Sequence, residues 1–153
     1  MIMGYELSKD FGIALKINGA FFPLIKGIRK IRKISDPYIK STFYINNNYA
    51  KTEVLGVKKF LRIKGTKVSD DLANSYICGL YGKTGDDCCT DAILFSRKNL
   101  HNGICTGSLI PVTVVMKSNT ADASPEDDPF VNFECDIYIN GEGTEGTYSI
   151  SEV

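Results

Sequence analysis

The stretch VNFECDIYIN, residues 131–140, decides the fold class. Val131, Phe133, Cys135, Ile137 and Ile139 alternate without a break against Asn132, Glu134, Asp136, Tyr138 and Asn140. Successive side chains of a strand point to opposite faces, so a period of two over this length predicts a strand with one face in a core. The same signal recurs on both sides of it. Ile110, Val112, Val114 and Met116 alternate with Thr113 and Lys117. Between the two runs, residues 118–129 are polar and acidic, carry Pro125 and Pro129, and read as a loop. After 140, Gly-Glu-Gly-Thr-Glu-Gly at 141–146 turns the chain into a last short strand, Thr147–Ser151.

Working toward the N-terminus, residues 89–97 form a strand with Ile93 and Phe95, and Asn102-Gly103 marks a turn within 99–107. Ile13, Leu15 and Ile17 alternate with Ala14, Lys16 and Asn18, and Asn18-Gly19 then turns the chain. A second strand falls around 28–34. Residues 35–53 read as a long loop or an extended hairpin, holding Asp36-Pro37, Asn46 to Asn48, and exposed-looking Tyr38, Tyr44 and Tyr49. In 54–64, Leu55, Val57, Leu61 and Ile63 share one face, with Lys59 as the exception. One segment has helical rather than strand spacing. Ser69 is placed as N-cap, Asp70 and Asp71 fall in the first turn, Leu72, Tyr76, Ile77 and Leu80 make an apolar stripe, and Gly82 ends it. The expectation is a mainly β protein: an antiparallel sandwich or barrel of six to eight strands, flanked by one helix over about 69–81.

The bulk properties agree. A chain of 153 residues fits one domain with a single core. Hydrophobic residues at 43% and charged residues at 24% exclude wholesale disorder and fibrous repeats. No apolar run approaches the roughly 18 residues of a membrane helix, and the start, MIMGYELSKDFG, lacks the apolar region of a secretory signal. Charge balances overall but not along the chain. Residues 1–68 hold 14 Lys/Arg and 4 Asp/Glu, a net of +10; residues 69–153 hold 4 and 14, a net of −10. Either the halves interleave and the asymmetry vanishes at the surface, or opposite ends of the subunit carry opposite charge and copies attract head to tail, the geometry of rings and filaments. Lys26, Arg29, Lys30, Arg32 and Lys33 are the basic candidates for such contacts, and Asp122, Glu126, Asp127 and Asp128 the acidic ones. No aromatic interrupts 26–33, so stacking on a single-stranded nucleic acid has no support there.

Chemical motifs fail one by one. The cysteines (78, 88, 89, 105 and 135) are odd in number and lack CxxC spacing; with one His they form no zinc set, and they read as reduced thiols, Cys78 and Cys135 in the core. No Lys, Arg or His flanks Cys88-Cys89 to activate a thiol. Gly82-Lys83-Thr84 resembles the end of a phosphate loop, but residue 77 is Ile where that loop needs Gly, and the segment ends a helix instead of opening one. His101 has Asp91 and Ser108 near it in sequence, as a general base would want, but its Asn/Gly-rich turn reads as a solvent-exposed loop, and the acidic loop lacks the ligand alternation and central Gly of a calcium site. No catalytic residue, cofactor or metal is expected.

The order of elements resembles the tail tube (major tail) proteins of bacteriophages and phage-tail-like particles. The likeness is carried by Ile63-Lys64-Gly65, by the helix with Asp71, Ala73, Tyr76, Ile77 and Leu80, and by the turn Lys83-Thr84-Gly85-Asp86. It continues through Pro111–Val114, the 118–129 loop, and Phe133 to Ile137 followed by Asn140-Gly141, covering about residues 54–147. The resemblance implies a structural subunit that assembles into rings, usually hexameric, stacked as a hollow tube that conducts DNA or, in a bacteriocin-like particle, ions. It implies sheath, baseplate and tail-terminator proteins as partners, DNA passing without specific binding, assembly in a bacterial cytoplasm, a mature place in the particle's tail, and no membrane. Tyr38, Tyr44 and Tyr49 would then sit on an arm reaching a neighbouring subunit, since aromatics are enriched in interface cores. The competing reading is a monomeric β-sandwich that binds carbohydrate or protein through the 38–49 loop.

Overall fold

The computed structural model describes residues 3–6, 10–43, 50–68, 70–119 and 132–151. Nine strands run through them: β1 (Met3–Glu6), β2 (Phe11–Ile17), β3 (Ala20–Pro23), β4 (Ile28–Phe43), β5 (Ala50–Thr66), β6 (Cys89–Ser96), β7 (Ile104–Asn119), β8 (Asn132–Ile139) and β9 (Thr144–Ser149). One helix, α1 (Leu72–Cys78), and two short 3-10 turns, Gly85–Cys88 and Arg97–Asn99, complete the order. Every strand pair is antiparallel, in the order β1-β4-β5-β8-β7-β6-β2-β3, with β9 added beside β7. The expectation of a mainly β, antiparallel fold with one flanking helix holds. The sheet is open, however, with β1 and β3 at its ends and no closure into a barrel.

The decisive alternation survives as β8. Phe133, Cys135 and Ile137 are buried on one side, facing Gly65, Ile63 and Leu61 across β5 and Asn119, Met116 and Val114 across β7. The principal core joins Leu15 and Ile17 of β2 to Leu61 and Ile63 of β5, although three strands separate these in the sheet order. The sheet therefore curls over its inner face. Ala73, Ile77, Cys78 and Leu80 of the α1 region fill the hollow. A second, smaller cluster lies on the other face of β2, β6 and the first half of β7: Ala14, Ile93, Phe95, Cys105 and Ile150. Here Gly12 and Gly107 stand across from Phe95 on either side, and a Cβ on Gly12 would come within 2.7 Å of the ring. Burial of Ala14 on one face and Leu15 on the other explains why β2 is apolar beyond its alternation.

The turns follow their sequence chemistry. Asn18 (φ 51°) and Gly19 (φ 85°) join Ile17 to its partner Ala20, and Asn102 (φ 53°) and Gly103 (φ 76°) join His101 to Ile104. Both central residues of such a two-residue hairpin turn need positive φ, which Asn and Gly tolerate. Several expected boundaries move. β7 already begins at Ile104 and runs to Asn119, and the last strand starts at Thr144 instead of Thr147.

The helix is shorter than 69–81. Its N-cap is Asp71, extended at φ −96° and ψ 125°, whose carboxylate accepts the Asn74 N–H at 3.0 Å; Ser69 lies outside the described residues. Asp70 and Asp71 thus precede the first turn. The helix ends at Gly79 in ordinary right-handed geometry, and Gly82 (φ 79°) belongs to the turns that follow. The buried face is Ala73, Asn74, Ile77 and Cys78, while Leu72 is 42% exposed and drops out of the expected stripe. Asn74 is fully buried because it does the work of backbone. Its Oδ1 accepts the Val68 N–H at 2.9 Å, and its Nδ2 donates to the carbonyls of Lys26 (3.1 Å) and Thr66 (3.0 Å). One side chain thereby ties α1 to the start of β4 and the end of β5.

Candidate assembly surface

Of the segment expected as a loop or hairpin at 35–53, the described residues 35–43 and 50–53 belong to two paired antiparallel strands. β4 and β5 pair from Ile28↔Gly65 out to Phe43↔Ala50. The rest of the sheet supports only its base. Among the described residues, β1 pairs with β4 only out to Ser35, and β8 covers β5 only from Phe60 to Thr66. Residues 36–43 and 50–59 therefore form a two-stranded arm beyond the body of the sheet. A register shift between Tyr38 and Ile39, opposite Gly56 and Val54, leaves Leu55 as an extra residue and bends the ribbon.

The inner face of β4 and β5 continues onto this arm. Leu61 and Ile63 are in the core, with Ile31 packed against it; farther out on the same side come Val57, opposite Pro37, and then, past the bulge, the pair Ile39↔Val54. No layer among the described residues covers them. Ile39 is 52% exposed, Val54 64%, Leu55 56%, Val57 48%, and Tyr38 64%. An apolar group of this extent on an exposed ribbon marks an interaction surface, and a two-stranded hairpin is marginal in water without further contacts.

The outer face at the base of the arm is charged. Lys30 stands opposite Lys64, and Arg32 opposite Arg62. Like charges directly across a ladder repel. β8 answers part of this charge. Asp136, 2% exposed, receives Nε and a terminal N–H of Arg62 at 3.0 and 3.2 Å, with Lys117 Nζ at 3.8 Å and Glu134 3.5 Å from Arg62. The hydrogen bond to Asp136 raises the Arg62 pKa further. Beside them Phe60 and Tyr138 stack at 4.8 Å, and the guanidinium lies 5.4 Å from the Phe60 ring centre.

The expected contact residues divide accordingly. Lys26, Arg29, Lys30 and Arg32 are exposed, Lys33 is half-buried on the inner face, and Arg29 donates to the Asn132 side chain at 2.9 Å. Tyr38 is on the arm; Tyr44, Tyr49, Asp122, Glu126, Asp127 and Asp128 lie outside the described residues. Among the described residues, the basic side chains gather on two strands. Ten Lys and Arg belong to β4 and β5, next to one end of the sheet. Around β6, β7 and β9 the exposed Asp86, Asp87, Glu142 and Glu145 stand with the exposed Lys83, Lys98 and Lys117. Sequence reasoning missed Ile39, Val54 and the Arg62–Asp136 pair. The first two are ordinary strand residues, and only the end of β8 leaves them uncovered.

Cys78, Cys88, Cys105 and Cys135 are buried and free, Cys89 is exposed, and burial pushes the thiols of Cys78, Cys105 and Cys135 up. His101 is an exposed turn residue, and Ser108 donates to the Glu145 carboxylate. Among the described residues, no three His, Cys, Asp or Glu side chains gather as a metal site.

No protein-family model and no curated relative matches the chain. Among solved structures it is similar to a chain from the virion of a native gene transfer agent particle, with TM-score 0.54, 13% identity, and 93% of this chain and 99% of that one covered. It is also similar to a chain from the tail of an empty gene transfer agent particle of C6 symmetry, with TM-score 0.51, 13% identity, and the same two coverages. At this identity the likeness is one of fold, and it extends over nearly the whole of both chains. The resemblance to tail proteins of phage-like particles, drawn above from residues 54–147, is met at that level.

Proposed function

We propose that this chain is a structural tail subunit that assembles with copies of itself into rings stacked as a hollow tube. The carrying observation is the β4–β5 arm, which projects past the sheet with Ile39, Val54, Leu55 and Val57 exposed. Among the described residues of one copy nothing packs on this ribbon; in a ring or stack a neighbour supplies the missing layer. The fold likeness to a chain of a C6-symmetric tail supports the same reading and makes six subunits per ring the expected number. The ten Lys and Arg of β4 and β5 favour head-to-tail contact, in which they meet acidic groups of the next copy.

In this reading the protein performs no catalysis. It lines a conduit for DNA, or for ions in a bacteriocin-like particle, and meets sheath, baseplate and terminator proteins at the tube's outside and ends. It is assembled in the bacterial cytoplasm and ends in the particle's tail. A wall that lets DNA slide must hold phosphates weakly, so its lumen surface is expected to be acidic or neutral.

Negative-stain electron microscopy of the purified protein across a concentration series tests the proposal. Rings or hollow tubes that grow with concentration are expected. Uniform monomers at every concentration, including in the presence of preformed tube ends, would overturn it and favour the monomeric binding module.

A further inference from the structure

β6 pairs with β7 only as far as Cys89↔Thr113, and β7 runs on to Asn119. Beside that extension, under the turns that follow α1, lies a groove of about 430 Å³. That is far more than the roughly 30 Å³ share of one water molecule. Leu80, Val115, Met116 and Cys88 give it an apolar lining, and Cys89 opens into it. Asp86 lies on its wall and Asp87 next to it, both exposed, against a single cation, Lys83.

We infer that this groove is the seat of the β4–β5 arm of a second copy, an inference that rests on the tube reading and names the surface the arm meets. Three observations select that occupant. The arm carries an uncovered apolar face, Pro37, Ile39, Val54 and Val57, that an apolar groove can desolvate. Its charge is of the opposite sign: Lys40, Lys51, Lys58 and Lys59 against Asp36 and Glu53, with Lys51 already paired to Glu53 at 3.3 Å. Its shape is right as well, because an extended ribbon laid along a strand is the recurring way such edges are recognised. The apolar contact supplies affinity, Lys59 on that same face meets Asp86 and Asp87, and Lys58 beside it on the other face adds to the field that sets the direction of approach.

Cys89 is the one exposed thiol of the five, so it reports contact directly. The experiment uses the full chain carrying Ile39→Cys. Isotopically heavy and light protein are mixed before assembly and oxidised gently, and the disulfide-linked peptides are identified by mass spectrometry. The expected product joins position 39 of a heavy copy to Cys89 of a light one, forms in assembled particles, and is lost with Cys89→Ser. Val54→Cys serves as a second probe should Ile39→Cys weaken assembly. Paired reversal of Asp86→Lys and Asp87→Lys should cause loss of the link, with recovery on adding Lys58→Glu and Lys59→Glu. Particles that assemble without this link, or that link only within one copy, overturn the groove assignment and leave the tube reading standing. A link from Tyr38→Cys in place of Ile39→Cys overturns the face assigned to the arm. Failure to assemble under every condition overturns both.

Discussion

Asn74 shows what a single residue contributes to this fold. It is fully buried in α1 and satisfies one backbone N–H and two backbone carbonyls in two separate segments, Lys26 before β4 and Thr66 to Val68 at the end of β5. A buried polar group without its partner costs about 1–3 kcal/mol. Asn74→Ala is therefore expected to lower unfolding free energy by about 3 kcal/mol, read from urea melts, while conservative changes at exposed Leu72 leave it within about 0.5 kcal/mol. Cys135 offers a test by pH. Burial, reinforced by the neighbouring Asp136 charge, holds its thiol protonated well above the ordinary range near pH 9. Above that pH the unfolded chain releases a proton that the folded chain keeps, so the unfolded state binds fewer protons and stability falls as pH rises. Urea midpoints measured from pH 8 to pH 10.5 should decline, and the decline should be shallower in Cys135→Ala. Equal slopes would show that the thiol does not ionise on unfolding in this window.

At the scale of elements, the arm and the body of the sheet should be separable. None of the described residues within 38–56 is buried, and the base of the hairpin is held by β1 and β8. Replacing 38–56 by an Asn-Gly turn closes β4 onto β5 at the existing pair Pro37↔Val57. This variant should keep its far-UV circular dichroism and change Tm by only a few degrees, yet give no rings or tubes by electron microscopy. A collapse in Tm would instead make the arm part of the folding unit. The helix gives a smaller effect: Asp71→Ala removes the cap to Asn74 N–H and should cost about 1 kcal/mol. The strands were legible because a half-buried strand writes its burial as a period of two, as in Phe133, Cys135 and Ile137. The helix boundaries were less so, since Ser69, Asp70 and Asp71 are all good caps in sequence, and only the position of Asn74 against Val68 and Thr66 selects Asp71.

For the whole molecule, the question is whether the +10 and −10 halves of the sequence drive association. The basic residues of β4 and β5 lie near one end of the sheet, and a concentrated charge of one sign can orient an approaching copy. The Debye length shrinks from about 10 Å at 0.1 M salt to about 3 Å at 1 M. Assembly followed by light scattering should therefore slow and weaken across that range. Indifference to salt would leave the apolar arm as the sole driver.

The sequence by itself determined the β class, the two Asn-Gly turns, the existence of the helix and the core membership of Cys78 and Cys135. Each of these is written in local spacing or local backbone preference. Only the tertiary structure decided that the sheet stays open and curls over α1, that Ala14 and Phe95 belong to a second cluster, and that Asp136 is buried beneath Arg62. It alone decided that Ile39 and Val54 are left bare. A strand residue is buried or exposed according to which strand lies beside it and which layer lies above it, and β8 ends at Ile139, level with the base of the arm. That ending is a property of pairing between residues more than 70 positions apart, Phe60 with Tyr138, which no local pattern encodes.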